Sequence, residues 1–162
     1  MIVLGVDPGS VRTGWGVVRR AGPRVEGIDA GVIRAPEKAA LHVRLQHIHE
    51  GLCEVIEQHR PAAMAVEDVF SKHAASALKL GQARGVVLLA GAHAQLDVAS
   101  YPPAVVKRSI AGKGAAPKDQ LARIVGAMLG LPALPPADAT DALAIAITHV
   151  NASRILAAAT KR

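Results

Sequence analysis

The chain has 162 residues and a formal charge of +6, from 19 Lys and Arg against 13 Asp and Glu. That length fits a single domain over residues 1–162, no apolar run approaches the ~20 residues of a bilayer crossing, and the opening lacks a signal peptide's basic leader and cleavage site. One cysteine, Cys53, excludes an internal disulfide, so the expectation is a cytoplasmic protein with no membrane association, whose basic excess favours a polyanionic partner or reflects an ordinary basic surface.

Ile2–Val6 is a continuous apolar run, the pattern of a central strand covered on both faces. Asp7-Pro8-Gly9-Ser10 breaks it with turn residues. Strands are predicted again at Trp15–Arg19 and Arg24–Arg34, joined through Ala21-Gly22-Pro23 as an antiparallel meander. In Ala39–His59 the residues Leu41, Leu45, Ile48, Leu52, Val55 and Ile56 recur at spacings of three and four, one face of a helix that Pro61 stops. Ala62–Glu67 reads as a short strand, His73–Leu96 as a long helix and Val98–Tyr101 as a brief strand. Pro102-Pro103 starts a helix carrying Val105, Val106 and Ile110, and residues 111–116 form a flexible basic loop around Lys113. Lys118–Leu129 is a helix, and a last one begins at Pro135-Pro136 and runs past His149. Three strands followed by alternating helices and strands give an α/β fold, a mixed sheet with helices on its faces. With one Trp, one Tyr and one Phe, its core is aliphatic.

Four acids stand where such a fold gathers chemistry. Asp7 ends the first central strand, where it either makes an Asx-turn before Gly9 or projects a reactive carboxylate from the sheet edge. Glu67 ends the strand Met64-Ala65-Val66 and alternates onto the face of Ala63 and Ala65, with Asp68 on the other. Asp138 and Asp141 share a face near the start of the last helix. Helix capping is one reading of that pair. The other is a metal site, because two carboxylates at the mouth of the apolar run Ala142–Ile147 repel unless a cation lies between them. Together the four make a hard-oxygen set for Mg²⁺ or Mn²⁺. The seven histidines show no Cys partner spacing and no HExxH, so they read as solvated or lightly packed, not as zinc ligands. Two cations ~4 Å apart on four carboxylates suit in-line phosphodiester hydrolysis.

The stretches GVDPGSVRTGWGVV from Gly5, VEDVF from Val66, SALKLGQARGV from Ser76, VVK from Val105 and ADATDALAIAITH from Ala137 span nearly the whole chain in order. In them the sequence resembles the RuvC family of bacterial Holliday-junction resolvases, in the ribonuclease H-like superfamily. The resemblance implies a mixed five-stranded sheet with helices on both faces. It also implies an endonuclease that nicks four-way junctions symmetrically during recombination and repair, leaving 5′-phosphate ends. On the same ground it implies Mg²⁺, with Mn²⁺ as substitute and two ions per active site, a homodimer, and work with the RuvA–RuvB branch-migration complex. Asp7, Glu67, Asp138 and Asp141 fall on the family's catalytic positions; some relatives carry His where Asp138 stands.

Phe70, three residues beyond Glu67, is either a core residue or an aromatic that stacks on an unpaired base, which the family's loop aromatic favours. Lys107 and Lys118 match basic positions the family uses near the scissile phosphate. Lys72, Arg84, Arg108 and Lys113 are weaker candidates for backbone contacts. Ala77, Gly81 and Gly85, four apart in the long helix, fit close packing against either the chain's own sheet or a second subunit. Rival readings have less support. An actin-type ATPase needs a second glycine-rich phosphate loop and a longer chain, a YqgF-type nuclease lacks the VEDVF and SALKLGQARGV stretches, and a junction-binding protein without catalysis would not need all four acids.

Overall fold

The computed structural model describes residues 1–68 and 74–159, with side chains to residue 153 in the last helix. Five strands, β1 (Ile2–Asp7), β2 (Arg12–Ala21), β3 (Arg24–Arg34), β4 (Ala63–Glu67) and β5 (Asp97–Tyr101), form one sheet in the order β3-β2-β1-β4-β5. The first three pair antiparallel, as the meander reading requires; β4 joins β1 in parallel and β5 joins β4 in parallel. The apolar run of β1 therefore occupies the centre, and Val3, Leu4 and Val6 are fully buried.

Helices cover both faces. α1 (Leu41–His59) and α2 (Ala74–His93) pack on the side of Leu4, Val6, Met64 and Val66, burying Ile48, Leu52 and Val87. α3 (Pro103–Ala111), α4 (Lys118–Leu129) and α5 (Ala137–Ala159) take the other face, with Val3, Val18 and Ala65. α5 lies between the sheet and its companion helices, which is why Ala142–Ile147 is apolar all round and buried. Among the described residues no helix is long and apolar enough to cross a membrane.

The structure differs from the sequence reading in several places. β2 starts at Arg12, three residues before the predicted strand, because Gly14 and Thr13 already pair with β3 across the sheet. The loop after α3 is pinned at its end by Ala116, which is 2% exposed. His149 is not solvated: it is buried under the sheet, its Nδ1 3.0 Å from the Tyr101 hydroxyl, and burial lowers its pKa below the usual 6.5. The His59 side chain is nearly as enclosed, beside Trp15 and Asp29. Gly81 and Gly85 do not pack on the chain's own sheet. Among the described residues a methyl group at either would meet nothing within 4 Å, and Leu78 on the same helix is 66% exposed.

Candidate active site

β1 and β4 are parallel neighbours, so their C-terminal ends share one sheet edge and bring Asp7 beside Glu67. Alternation puts Val3, Gly5 and Asp7 on the face of Ala65 and Glu67, the face covered by α5. The turn after Asp7 is closed by Thr13, whose hydroxyl donates to the Gly9 carbonyl at 2.9 Å and accepts from the Gly9 N–H at 3.3 Å. Asp7 is thus left to face the site.

What delivers the other two acids is a glycine stripe. In the β1–β2 register Gly5 stands opposite Gly16, and Asp7 opposite Gly14. A methyl group on Gly5 would overlap the Ala142 carbonyl oxygen, one on Gly14 the Asp138 carbonyl oxygen, and one on Gly16 the Leu143 side chain. α5 can rest this low only on bare backbone, and its first turns then carry Asp138 and Asp141 to the end of β1. The glycines were visible in the sequence as part of the Gly5–Val18 motif, but their role depends on cross-strand register.

Asp7, Glu67 and Asp141 line a cavity of about 270 Å³ together with Lys107 of α3 and Lys118 of α4; Pro103, Val106 and Leu121 form its apolar wall. The acids crowd one another in this half-dry setting. Burial, then the charges of Glu67, Asp141 and Asp138, raise the Asp7 pKa from 3.8 to about 7, with Lys118 acting in the opposite sense. Burial and the Asp141 charge also push Glu67 above the usual carboxylate range, against Lys118 and a hydrogen bond with Asp7. The Asp141 charge raises the Lys118 pKa in turn.

Asp138 and Asp141 are held differently. Arg12 Nε donates to Asp138 Oδ2 at 2.7 Å, and Lys118 Nζ to Asp141 Oδ2 at 3.3 Å. Among the described residues no three His, Cys, Asp or Glu side chains converge as a metal-holding group, and two of these acids are paired with cations of the chain itself. The donor set still fits a hard divalent ion. It offers only carboxylate oxygens, and the repulsion that lifts Asp7 and Glu67 is what such an ion relieves.

Of the remaining sequence candidates, Lys113 is exposed in the turn after α3 and Arg108 is exposed on α3; neither lines the cavity. Arg84 is committed internally. Its Nη2 donates to Asp68 Oδ1 at 2.7 Å and to Ser100 Oγ at 2.6 Å, tying α2 to the ends of β4 and β5. Phe70 and Lys72 lie outside the described residues. Arg12 was missed by sequence reasoning; its one signal was its place inside the motif that carries Asp7.

The family described as "Crossover junction endodeoxyribonuclease RuvC" matches residues 3–149. The chain is 48% identical over 154 residues to the protein of that name from Geobacter metallireducens, covering 94% of each. It is 50% identical over 159 residues to that of Sorangium cellulosum, covering 98% of this chain and 89% of the other. Among solved structures it is similar to "T. thermophilus RuvC in complex with Holliday junction substrate", with a TM-score of 0.90 and 37% identity over 96% of both chains.

Proposed function

The chain belongs to the RuvC family of crossover junction endodeoxyribonucleases, and from that premise we propose that it resolves four-way DNA junctions by hydrolysing phosphodiester bonds at the cavity described above. The observation that carries this reading is the meeting of Asp7, Glu67 and Asp141 with Lys107 and Lys118 around one cavity at the sheet edge. Carboxylates alone would repel DNA and lysines alone would only bind it. Both together suit a phosphate that must be held and attacked. The junction in the Thermus thermophilus relative's structure supports the choice of substrate.

Asp7, Glu67, Asp138 and Asp141 are the residues that would hold divalent ions, Mg²⁺ or in its place Mn²⁺, two per site, which when bound supply water activation and leaving-oxygen stabilisation. The chain's own groups do the rest. Lys107 and Lys118 neutralise and orient the scissile phosphate, while Val106, Leu121 and Pro103 keep bulk water from that side of the cavity. Lys113 and Arg108, exposed beyond α3, serve as phosphate contacts that position DNA without reading sequence. Lys72, two residues beyond the VEDVF stretch, is assigned the same role, and Phe70 is assigned to stacking on an unpaired base at the branch point. Arg84 contributes through the contacts that fix Asp68 and Ser100 beside Glu67, with any DNA contact secondary to these.

A two-fold junction calls for paired active sites, and α2 is the surface we assign to a homodimer. Among the described residues nothing stands over Gly81 and Gly85, and Leu78 and Leu89 are 66% and 48% exposed. Work beside the RuvA–RuvB complex in the cytoplasm, by one nuclease domain over residues 1–162, completes the proposal. The test is cleavage of a synthetic four-way junction against linear duplex, with and without Mg²⁺ or Mn²⁺. Asp138→Asn should abolish cleavage while sparing junction binding. Equal cutting of linear duplex, or full activity in that variant, contradicts the proposal.

A further inference from the structure

Four acids at one sheet edge would strain a metal-free fold, yet Asp138 already has a cation. Arg12 is the first residue of β2, and its backbone is fixed on both sides. Thr13 closes the preceding loop onto Gly9, and Gly14 lies directly against the Asp138 carbonyl. From there the Arg12 guanidinium reaches the first turn of α5 and binds Asp138 Oδ2 at 2.7 Å. The cavity is lined by Asp7, Glu67 and Asp141 but not by Asp138, whose carboxylate is held by Arg12. The pair is half-open to solvent, with side-chain exposures of 47% and 32%, so it is weak enough to be exchanged.

We propose that Arg12 is an internal counter-cation: it draws Asp138 aside in the metal-free protein, and a divalent ion that recruits Asp138 must displace it. Arg12 is thus a positioning residue that stabilises the unloaded fold and lowers metal affinity. The inference rests on the reading of Asp7, Glu67, Asp138 and Asp141 as the ion-holding acids.

The test is Mn²⁺ binding to the full chain without DNA at low ionic strength, followed by the EPR signal of free Mn²⁺, alongside thermal melts in EDTA and in Mg²⁺. Arg12→Gln is expected to bind Mn²⁺ about two- to fivefold more tightly than the unaltered chain, the range set by an exposed ion pair. It should melt lower in EDTA and gain more on adding Mg²⁺. Arg12→Lys, which keeps a cation, should restore the original affinity. In an Asp138→Asn background Arg12→Gln should no longer lower the melting temperature in EDTA; an undiminished drop there would mean that Arg12 acts as a distant charge, and would overturn the exchange. Unchanged or weaker Mn²⁺ binding by Arg12→Gln, with Asp7→Asn still abolishing binding, overturns this inference and leaves the four-acid reading standing. Mn²⁺ binding that survives both Asp7→Asn and Asp138→Asn overturns both.

Discussion

Asp7→Asn should stabilise this protein when metal is withheld, although it removes a residue assigned to catalysis. Burial and three neighbouring acids raise the Asp7 pKa from 3.8 to about 7. One pKa unit corresponds to ~1.4 kcal/mol, so the ionised carboxyl destabilises the metal-free fold by at most ~4 kcal/mol. The folded chain holds this proton more tightly than the unfolded chain does. The penalty is therefore absent below about pH 4, grows as pH rises toward 7, and is complete above it. Asparagine is nearly isosteric and its amide can donate to Glu67, but it remains a buried polar group, so the expected recovery is ~2–4 kcal/mol. For a domain of this length that is a rise in Tm of roughly 5–15 °C. The assay is a series of thermal melts in EDTA between pH 4 and pH 8.5. The gap between variant and unaltered chain should be near zero at the acid end, widen through the middle and level off at the alkaline end. Adding Mg²⁺ should reverse the order, because only the unaltered chain keeps the full donor set. An Asp7→Asn protein that melts at or below the unaltered chain in EDTA at pH 8 would refute the argument that the acids are held in mutual repulsion.

Gly14→Ala should lower stability by at least ~2 kcal/mol and cut cleavage sharply, since the added methyl overlaps the backbone of α5 at Asp138 and must lift that turn; denaturant melts and the junction assay read both effects. Leu78→Glu or Gly81→Glu should leave the melting temperature of the subunit within about 1–2 °C but yield monomers by light scattering, because both positions face open space; a dimer that persists in both variants would move the interface away from α2. Tyr101→Phe should destabilise by about 0.5–1.5 kcal/mol through loss of the bond to His149, measurable by urea unfolding above pH 7, where the imidazole is neutral. Junction binding should weaken steeply with added salt, and Lys107→Ala should flatten that slope in a binding titration if the lysine meets phosphate.

Much of the architecture was legible because it rests on local patterns. The apolar run Ile2–Val6 announced a central strand, and the spacing in Ala39–His59 announced α1 with its buried Ile48, Leu52 and Val55. The face of Glu67 followed from alternation, and it meets the cavity as that parity requires. What was not legible depends on contacts between distant segments. No local rule places Tyr101 over His149, 48 residues away, so a histidine that reads as solvated or lightly packed is buried. The same holds for the start of β2 at Arg12. Its pairing with Arg34 of β3 extends the strand into a stretch whose glycines and turn residues read as loop.

The acids illustrate the same division at the level of chemistry. Sequence gave good reason to ask what cation separates Asp138 from Asp141, since like charges on one helix face repel. It could not say that the chain supplies two of its own, Arg12 from 126 residues away and Lys118 from 23. The distribution of charge then becomes coherent. Asp138 and Asp141 are each offset by a basic side chain, while Asp7 and Glu67, bonded to one another, carry the raised pKa values. Each arrangement lessens the repulsion without a metal, and each is reversible: an ion pair can exchange, and a proton can leave. A site that must be stable when empty and yet admit divalent ions needs its neutralising partners to be displaceable. Partly exposed Arg12 and Lys118 meet that requirement, whereas cations buried among the four acids would not.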